Sequence, residues 1–117
     1  MQPYLFFYVE IEKEQYKSNE PCRIFYNLYS DGSYEKACVY DSDGELSHEM
    51  KTGILSMDSM LVLESFVKHE FKNYYCSKDA LDHQYYVLAT YDKNNTIIHE
   101  TQGYLSSKVK HILSYLP

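Results

Sequence analysis

Residues 34–66 read YEKACVYDSDGELSHEMKTGILSMDSMLVLESF, and residues 85–116 read YYVLATYDKNNTIIHETQGYLSSKVKHILSYL. Set one above the other, the two segments align. Tyr34 meets Tyr85, Tyr40-Asp41 meets Tyr91-Asp92, and His48-Glu49 meets His99-Glu100. After a one-residue gap, Gly53 meets Gly103, Leu55-Ser56 meets Leu105-Ser106, and Leu63 meets Leu113. Element by element, each segment reads strand, turn, strand, glycine, capped helix. Two hairpin–helix units related by a pseudo-twofold axis are the expectation.

The periodicities support that reading. In the first unit, 33–41 reads as a strand, Asp43-Gly44 as a tight turn, and 45–52 as a polar strand at a sheet edge. From Ser56 the period changes. Met57, Met60, Leu61, Leu63, Val67 and Phe71 recur at three- and four-residue steps, the apolar face of a helix over about 57–74. Ser56 or Asp58 caps its start. In the second unit, 84–92 and 96–102 read as strands around a Lys93-Asn94-Asn95 turn. Leu105, Val109, Ile112, Leu113 and Leu116 then mark a helix running to Pro117. The shared glycines are expected to turn the chain sharply from sheet to helix.

Upstream, 3–12 and 22–30 are aromatic and β-branched, read as two further strands, and are followed by an Asp31-Gly32 turn. The polar stretch Ser77–Asp82 reads as a loop. The order ββββαββα implies an α+β fold, a mainly antiparallel sheet of about six strands with two helices on one face. A single domain, 1–117, is expected. It comprises an N-terminal hairpin arm (3–30), a first hairpin–helix unit (34–75) and a second (84–117).

A chain of 117 residues has room for one core, and 44% hydrophobic with 24% charged residues is a globular balance. No apolar run approaches the roughly 20 residues that span a bilayer, so a membrane location is not expected. The start, Met1-Gln2-Pro3-Tyr4, lacks the basic region of a signal peptide. Three cysteines, Cys22, Cys38 and Cys76, form no C-x-x-C pair. They point to reduced cytoplasm, with Cys38 as a small core residue.

Eleven Lys and Arg against seventeen Asp and Glu leave a formal charge of −6. Such a chain is repelled by phosphate backbones, so direct nucleic-acid binding is not expected. The closest lysine pair, Lys108 and Lys110, lies within the second helix stripe. Acidity favours a protein partner with a basic surface, and fourteen tyrosines offer sticky, low-entropy contacts.

Catalytic patterns are missing from the sequence. There is no G-x-S-x-G, H-E-x-x-H, C-x-x-C or phosphate-cradling glycine loop. Asp41–Glu45, DSDGE, begins like a calcium loop, but Thr52 stands where the closing Glu belongs, and a hairpin turn explains it better. His48-Glu49 and His99-Glu100 invite a metal reading. Neighbouring strand residues point to opposite faces, so neither dipeptide chelates as a unit. The histidines converge only if the fourth and sixth strands are neighbours. No catalytic residue, metal or cofactor is therefore assigned.

The function these features favour is that of a small acidic, non-catalytic binding protein. It would inhibit by occluding the basic surface of a nucleic-acid enzyme such as a nuclease, as an anti-CRISPR-like phage anti-defence protein or a toxin immunity protein would. Candidate contacts are Glu10, Glu12, Glu14 and Glu20 in the N-terminal arm, Asp41, Asp43 and Glu45 at the hairpin tip, and Tyr40 and Tyr91. One acidic cluster is expected to dominate, because a single groove does not embrace two separate ones. The alternative is a homo-oligomerising module, a homodimer burying its Tyr-rich sheet face. A small metalloenzyme built on His48 and His99 ranks below both.

Overall fold

The computed structural model describes residues 2–77 and 83–117. The elements follow the order ββββαββα: β1 Leu5–Lys13, β2 Arg23–Tyr29, β3 Ser33–Ser42, β4 Glu45–Ile54, α1 Met57–His69, β5 Gln84–Tyr91, β6 Ile97–Gly103 and α2 Ser107–Leu113. The strands form one antiparallel sheet, ordered β4-β3-β2-β1-β5-β6. This is the expected α+β architecture. Of the loop expected over Ser77–Asp82, residues 78–82 lie outside the described residues.

The N-terminal hairpin is the centre of the sheet rather than an outlying arm. β1 pairs with β2 on one side and with β5 on the other, Val9 facing both Tyr26 and Leu88. The pairing with β5 joins segments some eighty residues apart, a contact that local pattern does not announce.

Register sorts the side chains into two faces. Phe7, Val9, Tyr26, Leu28, Tyr86 and Leu88 lie beneath the helices and form the core with Leu63, Phe66, Val67, Val109 and Leu113. Phe7, Phe66 and Phe71 meet with ring centroids 5.6–6.3 Å apart. The other face of the sheet carries no helix among the described residues. There Tyr8, Glu10, Glu12, Phe25, Tyr29, Val39, Asp41 and Tyr85 share one surface.

Helix α1 starts where expected, and Ser56 is its cap, accepting from the Ser59 amide. The buried stripe differs from the sequence reading. Phe66 is buried, whereas Met57 and Leu61 are 80% and 59% exposed. The helix ends at His69 and a 3-10 turn over Phe71–Asn73 brings Phe71 into the core. Helix α2 is one short segment capped by Ser106, and Leu116 is buried beyond its end.

Both units are an antiparallel hairpin followed by a serine-capped helix, at opposite edges of the sheet, but the matched residues keep equivalent places only from the cap into the helix. Ser56 and Ser106 have matching extended backbones and cap in the same way, and Leu63 and Leu113 are both buried. The hairpin matches are one residue out of phase. Tyr34 lies on the helix face opposite Leu28, while Tyr85 lies on the open face opposite Glu12. A one-residue slip turns every side chain of a strand over, so similar sequence here serves dissimilar surroundings. The glycines differ too. Gly103 sits at φ +135°, but Gly53 has no positive φ; a Cβ there would meet the Tyr34 hydroxyl at 2.6 Å. Gly53 makes room for a cross-strand tyrosine ring.

Candidate functional site

The sheet topology brings the two acidic clusters to one end. β1 ends beside the start of β2, and Arg23 at that start faces both Glu12 and Val39. The β1–β2 loop, carrying Glu14 and Glu20, therefore lies next to the β3–β4 tip, carrying Asp41 and Asp43. A hydrogen bond joins them: the Tyr16 hydroxyl donates to Asp41 Oδ2 at 3.1 Å. The Cys22 amide donates to the Val39 carbonyl at 2.8 Å and extends the same contact. The expectation of separate clusters gives way to one acidic end.

The tip has its form from Asp43 and Gly44, at φ 53° and 88°, the left-handed pair of a two-residue hairpin turn. Asp41 Oδ1 accepts from the Gly44 amide at 3.0 Å and fixes the turn. Among the described residues, the lysine and arginine side chains at this end are Lys13, Lys17 and Arg23. Arg23 lies 3.5 Å from Glu12, and Lys13 lies 3.9 Å from Glu20. Glu14 faces His83 at 3.5 Å and accepts from the Tyr104 hydroxyl at 3.0 Å. Glu10 and Asp41 accept from tyrosine hydroxyls, and no ion pair joins Glu10, Asp41, Asp43 or Glu45 to a cation among the described residues.

Tyrosine–carboxylate pairs recur across the surface. Tyr8 donates to Glu10 at 3.1 Å, Tyr29 to Glu35 at 2.5 Å and Tyr40 to Glu49 at 3.1 Å. Burial, then the Glu10 charge, pushes the Tyr8 phenol up to about 12. The hydrogen bonds to Asp41, Glu35 and Glu49 raise Tyr16, Tyr29 and Tyr40 above the ordinary phenol value. Each phenol therefore stays protonated at neutral pH as a donor, which orients its carboxylate without removing the negative charge.

Beside the acidic end the open face holds an apolar hollow of about 400 Å³, lined by Cys22, Arg23, Phe25, Ala37, Val39, Leu46 and His48. At the other end of the sheet is a cleft of about 540 Å³ between α1 and the β5–β6 turn. Tyr4, Phe6, Val67 and Ile98 line it, together with Lys68, Lys72 and Lys93. Three lysines thus stand at this end, with Asp92 beside them in the cleft and Lys68 paired to Glu64 at 3.1 Å.

The expected contact residues divide. Glu10, Glu12 and Asp41 share the open face, Glu14 and Glu20 border it, and Asp43 tops the turn. Glu45 and Tyr40 lie on the opposite face of the hairpin, and Tyr91 lies at the far end, lining the lysine-bearing cleft. The sequence reading missed Tyr8, Tyr16 and the hollow. The Tyr8–Glu10 spacing of two on a strand is a signal that was present; the Tyr16–Asp41 contact depends on topology and left none.

His48 and His99 do not converge. They belong to β4 and β6, the opposite edges of the sheet. His48 is on the open face, whereas His99 packs on Phe71 at 4.7 Å between centroids, with Nε2 2.7 Å from the Tyr74 carbonyl. A carbonyl only accepts, so Nε2 carries the proton and His99 is tied into the fold. Among the described residues no three His, Cys, Asp or Glu side chains gather as a metal-holding group. The three cysteines are unpaired thiols, Cys38 half-buried rather than in the core. No model of a known protein family matches the chain, and no curated protein sequence matches it.

Proposed function

We propose that this protein is a binding module that docks a basic protein surface at the acidic end of its open sheet face. The observation that supports this most is the union of two acidic segments, distant in sequence, around one apolar hollow. Carboxylates held in place by phenol hydroxyls lose little further freedom on meeting a cation. An arginine- or lysine-rich surface supplies counter-charges to Glu10, Asp41 and Asp43, while an apolar side chain of the partner enters the hollow beside Phe25 and Val39. Anchors of that kind at the centre of a polar rim are where binding energy concentrates. A nucleic-acid enzyme presents such a basic surface, and covering it would inhibit the enzyme by occlusion.

The test is capture from cell lysate at low salt by the wild-type chain and by a variant carrying Glu10→Lys, Asp41→Lys and Asp43→Lys. The expected partner is retained by the wild type, released by salt and lost with the variant. It also exchanges the protein for nucleic acid in competition. Retention that ignores both salt and the reversals, or a partner still able to bind nucleic acid in the complex, would contradict the proposal.

A further inference from the structure

β4 is the exposed edge of the sheet. It runs ten residues in unbroken register with β3, contains no proline, and nine of those residues are exposed. The other edge is guarded. β6 has seven residues, its pairing shifts register at Thr90/Tyr91, and the Ser77 amide donates to the Tyr104 carbonyl just beyond its end at 2.8 Å. Natural sheets rarely leave a long regular edge open.

The hairpin turn fixes which backbone groups of β4 remain available. A two-residue turn closes on Ser42 and Glu45 as a hydrogen-bonded pair, so the odd-numbered residues of β4 turn their amides and carbonyls toward β3. The Leu55 amide, donating to the Gly32 carbonyl at 2.9 Å, continues that phase. Leu46, His48, Met50, Thr52 and Ile54 consequently turn their backbone groups outward.

We propose that this edge pairs with β4 of a second copy of the chain, antiparallel, about a twofold axis through Met50. The sequence of β4 is self-complementary in that register. Leu46 faces Ile54 of the second copy, His48 faces Thr52, and Met50 faces Met50. On the helix side, Glu49 faces Lys51, and the twofold repeats each contact. Leu46, Met50 and Ile54, which are 64%, 65% and 79% exposed in the single chain, form three apolar cross-chain pairs that alternate with the His48–Thr52 pairs. Sliding the pairing by one backbone repeat either way sets Glu49 on Glu49 or Lys51 on Lys51, so charge selects the register. Lys51 already stands opposite Lys36 within the sheet, a like-charge pair that Glu49 of the second copy offsets. The result is a continuous twelve-stranded sheet, with the two acidic ends at opposite extremes and both open faces uncovered. It does not rest on the docking proposed above, and it buries the β4 edge rather than the tyrosine face, although Leu46 and His48 of that edge also line the hollow.

The test is sedimentation of the full chain over a wide concentration range, with four variants. Wild type is expected to show a reversible dimer. Glu49→Lys and Lys51→Glu should each weaken it about tenfold, because two attractive pairs become repulsive. The double variant should restore it, and an equimolar mixture of the two single variants should form heterodimers. Met50→Pro should abolish pairing while keeping the circular dichroism of the wild type, because that amide points away from β3. A monomer at every concentration would overturn the proposal. So would a dimer indifferent to the single charge variants, which would place the interface elsewhere.

Discussion

At the residue scale, burial separates side chains that look equivalent in sequence. Leu63 is fully buried, whereas Met57 is 80% exposed, although both fit the same helical spacing. Leu63→Ala should cost about 2–5 kcal/mol in urea unfolding, and Met57→Ala less than about 0.5 kcal/mol. The phenols make a second prediction. Burial raises Tyr26 to about 12, and burial with the Glu10 charge raises Tyr8 to about 12, against 10.0 for a free phenol. Between these values the unfolded chain loses protons that the folded chain keeps. The stability they contribute is present in full below pH 10 and falls as pH rises toward 12. Phenolate absorbance should show two late-titrating groups, one of them absent in Tyr26→Phe; a spectrum with every phenol titrating near 10 would refute this. Tyr26 does not stand out in a chain of fourteen tyrosines, because the neighbours that perturb it, Cys38 and Tyr34, come from another strand, whereas Tyr8 has its perturbing Glu10 on its own strand.

At the scale of elements, chain periodicity carried most of the information. Strand, turn and helix positions were legible because burial on one face imposes a period of two or of 3.6. The face itself was less legible. The alignment of Tyr34 with Tyr85 respects residue type, yet places one ring under the helices and the other on the open surface. No local pattern reports such a slip when both faces accept tyrosine. Capping was legible, because a serine hydroxyl three residues before a free amide is local chemistry. Ser56→Ala should cost about 1 kcal/mol, and Asp58→Ala less, since Asp58 adds only charge near the helix start. Equal losses at both positions in thermal unfolding would mean that the hydrogen bond of Ser56 contributes nothing beyond its charge environment.

At the scale of the whole molecule, topology makes the surface. The acidic segments were each visible in the sequence, but their union was not, because it depends on β1 and β3 ending on the same side of the sheet. Seven carboxylates, Glu10, Glu12, Glu14, Glu20, Asp41, Asp43 and Glu45, lie at or near one end, opposed there by Lys13, Lys17 and Arg23 among the described residues. Lys68, Lys72 and Lys93 stand at the other. A field of this form steers an approaching cationic surface to the acidic end, and salt suppresses it over a Debye length of about 10 Å at 0.1 M. The most direct test is residue-resolved: nuclear magnetic resonance titration of the isotope-labelled chain with an oligo-arginine peptide, at low and high salt. Amide shifts should concentrate at Glu10, Glu12, Glu14, Tyr16, Asp41 and Asp43 and around the hollow at Phe25 and Val39. They should shrink as salt rises and vanish in the Glu10→Lys, Asp41→Lys, Asp43→Lys variant. Shifts spread evenly over the acidic residues of the molecule, Glu64 and Glu70 of the helix side included, would contradict a built docking end.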